Sequence, residues 1–165
     1  MAYKDTDKGM KKILENMKKL NGMYIKSGFP EGSGTVKGEG ENAKEVDIAQ
    51  IASWLENGID GRMPSRPFVT QAFDNNIEKI KLTMDNLVKL VQDGRMDADA
   101  AIRHLAQFNN DLIDKEMEFG SFKELSDATK KRKKSKQPLI DTGHMKKSIQ
   151  SVIIKDGAVT ERVKK

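Results

Sequence analysis

Two stretches of the chain carry apolar residues at helical spacing, and they restrict the possible folds more than any other feature of the sequence. One covers residues 68–91 and the other residues 98–113. Apolar residues that recur every three or four positions lie on one face of a helix, so each stretch predicts a long amphipathic helix with one buried face. We expect Ser65 to cap the first helix, with Pro67 in its first turn, and Asp97 to cap the second.

The rest of the chain predicts shorter elements. We expect helices over residues 9–20 and 46–57, a strand over residues 23–27, and a short helix that Asp141 caps and that runs to residue 149. Asp156-Gly157 lies between two β-type segments and is typical of a type I′ hairpin turn. These elements predict a single α+β domain over residues 1–165: a small, mainly antiparallel sheet with a C-terminal β-hairpin, packed by several helices including two long ones.

Two segments lack the apolar residues that a packed element needs. Residues 28–44 are rich in glycine and contain three glutamates. Burial of so few apolar groups does not offset the entropy of ordering the chain, so this segment predicts a long, mobile loop, either functional or disordered. Residues 120–137 are polar and basic, and they predict a connecting segment between the second long helix and the C-terminal elements.

Composition excludes several classes of protein. The chain has 165 residues, enough for one domain with a core, and no cysteine, so disulfides, thiol nucleophiles and cysteine-based zinc sites are excluded. No run of about 18 apolar residues is present, so neither a membrane-spanning helix nor a membrane partner is expected. The N-terminus is charged and lacks the apolar region of a secretory signal, which predicts synthesis in the cytosol.

The positive charge of the chain is concentrated in one segment. The formal net charge is +5, from 30 basic and 25 acidic residues, and residues 130–136 hold six of the basic ones. This basic segment is interpreted in three ways: as a nucleic-acid or nuclear-localisation patch, as a solvated linker, or as an interface with an acidic partner. No aromatic residue lies among the lysines to stack on bases, so the linker and the protein interface are favoured over direct DNA contact.

Features of an enzyme are sparse. His104 and His144 have no second histidine or carboxylate at helical metal-ligand spacing, and the glycines of residues 32–34 and 38–40 lack the strand, helix and lysine of a phosphate-binding loop. Nothing in the sequence marks two carboxylates as a buried catalytic pair. We therefore expect no catalytic residues, no cofactor and no metal site.

Two further motifs carry a resemblance to a known family. Glu56-Asn57-Gly58 is followed by Met63-Pro64-Ser65-Arg66-Pro67-Phe68, and a segment that begins at Phe122 is followed by Pro138-Leu139-Ile140-Asp141-Thr142-Gly143. In this order the motifs resemble those of tailed-phage neck or tail-completion proteins, also described as virion morphogenesis or tail-component proteins. Asn57 and Glu124 depart from the family pattern, which has an aromatic residue and a proline there. The matching residues are Pro64, Arg66, Pro67, Phe68, Leu125, Thr129, Pro138, Leu139, Asp141, Thr142 and Gly143.

The motif residues also have expected roles within the monomer. Arg66 can hold a carboxylate or backbone carbonyls at the beginning of a helix, and Phe68 can anchor that helix in the core. Asp141 and Thr142 offer capping oxygens, and Gly143 permits a tight turn. Whether the motifs serve only the fold or also assembly is left open by the residues themselves.

The resemblance implies a non-enzymatic virion protein, assembled in the cytoplasm of a bacterial host. Such a protein would form a ring at the neck or at the head-proximal end of the tail, with connector and tail proteins as neighbours. A closed ring needs a heterologous interface, in which one patch docks on a different patch of the next subunit. The basic segment would line a DNA passage or meet a protein, and the alternative function is that of a small basic nucleic-acid-binding protein. The candidate interface residues are Gly32, Gly34, Gly38, Glu39, Lys131, Arg132, Lys133 and Lys134.

Overall fold

The structure is a computed structural model that describes residues 8–37, 44–132 and 137–165, except for the side chains of Lys8, Ala128 and Arg132. The helices in these ranges are α1 (Lys8–Leu20), α2 (Ile48–Asn57), α3 (Phe68–Asp74), α4 (Ile77–Gln92), α5 (Ala98–Phe119), α6 (Asp127–Arg132) and α7 (His144–Lys147). The strands are β1 (Met23–Gly28), β2 (Thr35–Lys37), β3 (Glu45–Asp47), β4 (Gln150–Lys155) and β5 (Ala158–Lys164). This combination of helices with a small antiparallel sheet confirms the predicted α+β class. In the ranges above, no helix combines the length and the apolar character that crossing a membrane requires.

The main sheet has three antiparallel strands in the order β1-β4-β5. β4 is therefore the central strand, and residues 150–154 of it are buried. The predicted hairpin between β4 and β5 is confirmed, because Asp156 and Gly157 have φ angles of 50° and 82°, as a type I′ turn requires. The sheet thus pairs a strand from near the N-terminus of the chain with two strands from its C-terminus.

Helix α5 packs on one face of the sheet through buried polar groups. Ser151 of β4 and Asn110 of α5 are both fully buried, with Ser151 Oγ 2.7 Å from Asn110 Oδ1 and 2.6 Å from Ser27 Oγ of β1. Asn110 Nδ2 donates to the carbonyl of Val163 on β5 at 3.0 Å. One helix therefore contacts a polar group on each strand. Since an unpaired buried polar group is costly, this network favours a single register of α5 on the sheet.

The apolar core has two parts. The larger joins α2, α3 and α5 to residues that flank α7, and the smaller joins α4 to the first turns of α5. The fully buried residues of the core include Phe68, Ile113 and Ile149 in the larger part and Val91 in the smaller part. Phe68 and Val91 of the first long stretch and Ile113 of the second therefore lie in the core, as predicted, whereas Ile77 and Met84 of the first stretch are 48% and 46% exposed.

The segment predicted as one long loop contains a strand, so that expectation is wrong for residues Thr35–Lys37. β2 pairs with β3 in a small antiparallel sheet, with Val36 opposite Val46. The same pairing shortens the helix predicted over residues 46–57, because Glu45–Asp47 forms β3 and Asp47 caps α2 through the backbone N–H of Ala49 at 2.8 Å. The paired valines supply apolar contact that the glycine-rich composition of the loop conceals.

The first long stretch forms two helices rather than the one that its periodicity predicts. α3 ends at Asp74 and α4 begins at Ile77. Between them, the side-chain amide of Asn76 donates to the carbonyl of Ala72 at 2.9 Å, which is the acceptor that its own backbone N–H would use in a continuous helix. This competition of an asparagine side chain with the backbone explains the break.

Two predicted caps are also wrong. Ser65 does not cap α3; its hydroxyl donates instead to the carbonyl of Glu56 at 2.6 Å, and Pro67 occupies the cap position without a side-chain bond. Asp141 does not cap α7, which begins after Gly143 and ends at Lys147, before residue 149. Gly143 has φ 78°, a left-handed conformation that glycine adopts without a steric penalty. The Asp97 cap of α5 is confirmed, because its carboxylate accepts from the N–H of Ala100 at 2.7 Å.

Candidate assembly surface

Arg66 connects the two segments that carry the family resemblance. Its side chain is 3% exposed, and its Nε donates to the carbonyl of Lys123 at 3.0 Å while a terminal amino group lies 3.4 Å from the carbonyl of Glu124. Burial lowers the pKa of Arg66, but a guanidinium stays charged in proteins at ordinary pH. Of the two partners expected for Arg66, carboxylate or carbonyls, the structure shows the carbonyls.

Glu56 supplies the cap that α3 lacks in its own sequence. Its two carboxylate oxygens accept from the backbone N–H groups of Val69 and Thr70, each at 2.9 Å, and Oε1 also accepts from the Thr70 hydroxyl at 2.7 Å. A carboxylate at a helix N-terminus satisfies free N–H groups and interacts favourably with the helix dipole. The glutamate of the first motif therefore fixes the beginning of α3 from the preceding helix.

Gly58 allows the loop of the first motif to fold back on itself. Its φ is 78°, and a Cβ at this position would lie 2.7 Å from the backbone nitrogen of Ser65 and 2.9 Å from the carbonyl oxygen of Met63. Any larger residue would push this loop apart. Gly58 therefore lets the chain turn back after Glu56, so that Glu56 can reach the beginning of α3, just after Arg66.

Other motif residues divide between core and surface. Phe68 is fully buried, as expected of an anchor, and shares the larger core with Leu139. The half-buried positions are Pro64, Pro67, Leu125, Thr129, Pro138 and Gly143. Asp141 and Thr142 are exposed. Most of the motif residues are therefore built into the fold rather than displayed to a partner.

Glu124, which replaces a proline of the family pattern, forms an ion pair at the surface. Its carboxylate lies 2.7 Å from Lys130 Nζ on α6. The hydrogen bond and charge of Lys130 lower the pKa of Glu124, and Glu124 in turn raises the pKa of Lys130. Glu124 thus links the stretch at residues 123–124, which Arg66 holds, to the beginning of the basic segment.

The candidate interface residues are only partly placed. Gly32 and Gly34 are exposed with φ of 82° and 113°, but the turn that holds them is anchored, because Gln150 Nε2 donates to Ser33 Oγ at 2.9 Å and the N–H of Ile48 donates to the carbonyl of Gly34 at 3.0 Å. Lys131 is exposed on α6, and only the backbone of Arg132 is described. Gly38, Glu39, Lys133 and Lys134 lie outside the described residues.

An open groove lies where the α3–α4 break faces the end of α5. It has a volume of about 590 Å³, with Asn75 and Lys79 on one side and Lys115 and Phe119 on the other. Phe119 is 76% exposed, which is unusual for a phenylalanine. The sequence pattern places Phe119 only at the end of a helix, so it does not predict this groove.

The roles of Glu56, Asn109 and Asn110 were not predicted from the sequence. Asn109 and Asn110 interrupt the apolar positions of α5 with two consecutive amides, and that interruption is the signal that the side chains face a polar, buried surface. Glu56 lies in the first motif, yet its role depends on two backbone N–H groups that follow thirteen and fourteen residues later. No local pattern connects groups at that separation.

Comparisons with known protein families, curated proteins and solved structures give no match to this chain.

Proposed function

We propose that the protein is a structural component of a tailed-phage virion, which forms a ring at the neck or at the head-proximal end of the tail and joins or completes the tail. The basis is the resemblance of two motifs, at residues 56–68 and 122–149, to neck and tail-completion proteins. No catalytic role is assigned to any residue.

The observation that carries the proposal is the Arg66 contact. Two motifs that match a family by chance have no reason to meet in space, yet Arg66 bonds to Lys123 across 57 positions of the chain. The same unit includes the Glu56 cap and the Phe68–Leu139 core contacts. The two motifs therefore act as one structural unit, as a shared family pattern requires.

A ring of identical subunits needs two different surfaces that fit one another. The groove that Phe119 borders is one candidate, because this large apolar side chain is 76% exposed beside an open groove. The Gly32–Gly34 turn and the basic segment, residues 130–136, are the other candidates. The groove lies at the C-terminal end of α5, and the basic segment comes after α5 in the chain. The Gly32–Gly34 turn contacts β4 of the main sheet.

Light scattering coupled to size-exclusion chromatography, followed by negative-stain electron microscopy, tests the proposal on the full chain. We expect a closed ring whose proportion rises with protein concentration. The Phe119→Ser variant should lower that proportion. The control is Leu82→Ser, which changes an exposed apolar residue on a different helix, α4, and should leave the proportion unchanged. A monomer at every concentration, together with flanking reading frames that encode no head or tail proteins, would contradict the proposal.

The role of the basic segment is tested separately by charge reversal at Lys131, Lys133 and Lys134. If this segment contacts a neighbouring protein, the variant should fail to assemble or to join heads to tails. If it lines a DNA passage, joining should be normal and retention of packaged DNA should change. Normal joining with unchanged DNA retention contradicts both roles and leaves a solvated linker.

A further inference from the structure

On the face of the three-stranded sheet that turns away from α5, the edge strands β1 and β5 expose side chains, whereas Gln150, Val152 and Ile154 of the central strand are buried. The turn over residues 31–33 packs beside Gln150 and Arg162 at one end of this face. Register places two cross-strand rows on it: Tyr24, Ile154 and Val159 in one, and Lys26, Val152 and Arg162 in the other. Lys164, opposite Gln150, extends the same face. Tyr24 is 46% exposed and Val159 is exposed. We call this surface the outer face of the sheet.

Every charged residue of the three strands on the outer face is basic. Lys26 and Arg162 flank Val152 on the two edge strands, and Lys164 follows Arg162 by two positions. Lys26, Arg162 and Lys164 are exposed, and none of them forms an ion pair within the described part of the chain. Arg162 does donate to the main-chain carbonyl of Glu31 at 3.2 Å, which orients its guanidinium without neutralising it.

The opposite face shows the contrasting arrangement. There Glu161 of β5 is paired with Arg103 of α5 at 2.9 Å, so its charge is compensated within the molecule. Alternation along β5 therefore separates the charges, with the carboxylate of Glu161 toward the helix and the cations of Arg162 and Lys164 toward solvent.

This separation is hidden in the total charge. Outside residues 130–136 the chain has 24 basic and 25 acidic residues, which looks balanced. With three cations placed on one face, the remainder has 21 basic and 25 acidic residues. The outer face therefore carries three cations that the near-balance of the total charge does not reveal.

The three cations lie close enough to repel one another. Lys26 and Arg162 are separated by two strand spacings, about 10 Å, and Arg162 and Lys164 by about 7 Å along the strand. These distances are comparable to the Debye length of about 8–10 Å near physiological salt, so screening removes only part of the repulsion. A polyanion on this face would relieve it.

Features that read bases are absent from the described surface of this face. The Tyr24 ring lies under Lys26 Nζ at 5.9 Å from its centroid, so a cation already occupies that side of the ring. Gln150, the single amide in these rows, is 3% exposed and cannot reach a base edge. Cations without stacking or base-reading groups favour contact with the phosphates of a duplex, independent of its sequence.

We propose that the outer face of the sheet binds the phosphate backbone of double-stranded DNA through Lys26, Arg162 and Lys164. If the protein also forms the ring proposed above, the bound duplex would be the packaged genome. Binding by the face does not require a ring, so each proposal can fail while the other holds.

Fluorescence anisotropy with a labelled 30-base-pair duplex of mixed sequence tests this on the full chain across a salt series. We expect binding that weakens steeply with salt, and a K26E/K164E variant that binds about tenfold more weakly or worse at low salt. Because two phosphate contacts are lost, its slope of log affinity against log salt should be smaller by about 2. Lys164→Glu alone, a change near the C-terminus on an exposed edge, should weaken binding about threefold if the double variant folds poorly.

K11E/K89E is the matched control, since it makes the same change in net charge on exposed positions of α1 and α4. It should bind within about threefold of the natural chain, because its charges lie on other faces. Equal weakening by both double variants would overturn the proposal in favour of a net-charge effect.

Three other results would also overturn it. Loss of binding in K131E/K133E, with K26E/K164E unaffected, would assign the DNA contact to the basic segment. Tighter binding to a single-stranded oligothymidine that depends on Tyr24, tested with Tyr24→Ala, would assign the face to base stacking. No duplex binding at low salt would leave an acidic protein as the partner of this face.

Discussion

At the residue scale, a charged side chain, that of Arg66, occupies a buried position where a hydrophobic residue is more usual. The side chain of Arg66, just before α3, is buried, yet it is charged and its donors meet two backbone carbonyls. Those carbonyls belong to residues 123 and 124, in a segment that has no helix or strand of its own. These carbonyls accept from the guanidinium rather than from a helix or sheet partner, so Arg66 holds in place a segment that secondary structure does not.

We predict that Arg66→Met lowers the free energy of unfolding by about 1–3 kcal/mol, because methionine fills the space but removes the charged donors that hold the Lys123 and Glu124 carbonyls. Arg66→Lys should recover little of this, since an ammonium cannot reproduce the planar arrangement of guanidinium donors. Urea unfolding followed by circular dichroism measures both. The control is Arg62→Met, an exposed change in the same loop, for which we expect less than about 0.5 kcal/mol. Equal stability of the Arg66 and Arg62 variants would contradict this role.

At the element scale, polar groups decide how α5 sits on the sheet. Apolar surfaces of a helix and a sheet tolerate some sliding, whereas the Asn110, Ser151 and Val163 contacts are satisfied in one arrangement. α7 is fixed to α5 by charge instead, with Lys146 Nζ 2.5 Å from Glu118 and 3.4 Å from Asp114. Asp114 also pairs with Lys165, so the C-terminus is held at the same place.

The network should show strong coupling in a double-mutant cycle. We expect Asn110→Leu to cost about 2–3 kcal/mol, because it leaves the Val163 carbonyl without its Asn110 donor and removes one of the three partners of the buried Ser151 hydroxyl. In the Ser151→Ala background the same change should cost less, with a coupling energy of about 1 kcal/mol or more. Chemical unfolding of the four proteins gives this coupling. Simple additivity would contradict a shared network.

The ion pair of α7 predicts a pH dependence at the alkaline end. The hydrogen bond from Lys146 to Glu118 raises the pKa of Lys146, with further support from Asp114. A group with a raised pKa contributes stability that is complete below its ordinary value near 10.5 and is lost as the pH rises through the raised value. The urea midpoint of the natural chain should therefore fall more steeply than that of Lys146→Met above about pH 10.5.

Lys147→Met serves as the control for this comparison, because Lys147 is the exposed neighbour on the same helix. Its midpoint should follow that of the natural chain across the alkaline range. Parallel pH profiles for all three proteins would show that the Lys146 pair does not contribute to stability.

At the scale of the whole molecule, the fold depends on contact between distant parts of the chain. β1 pairs with β4 across more than a hundred residues, and the larger core joins Phe68 and Ile113 to Leu139 and Ile149. Neither part of the chain buries its apolar surface alone. Folding should therefore be cooperative over the whole domain, with few stable intermediates.

We predict that a chain truncated after Gln137 loses cooperative unfolding, because β1 then has no partner and α5 exposes Asn110 and Ile113. Thermal unfolding by circular dichroism, with the fluorescence of Trp54 as a second probe, measures this. Lys164→Ser, an exposed change in β5, should unfold like the natural chain. A truncated chain with the same sharp transition would show that the helices fold independently of the sheet.

Local patterns in the sequence were sufficient for several elements. Helical periodicity predicted α1 and α5 with its Asp97 cap, and Asp156-Gly157 predicted the hairpin, because each depends on residues within a few positions of one another. The resemblance motifs pointed to Arg66 and Phe68, and simple chemistry gave both a role that the structure confirms.

Tertiary structure alone decided the rest, since the deciding partners are far apart in the chain. The Asn76 break, the Glu56 cap of α3 and the pairing of Val36 with Val46 all replace a local expectation with a contact to another segment or to a competing side chain. Charge shows the difference most clearly. The sequence determined how many cations the chain has, but strand register alone placed Lys26, Arg162 and Lys164 on one face, because alternation in a strand separates neighbours and pairing brings distant residues together.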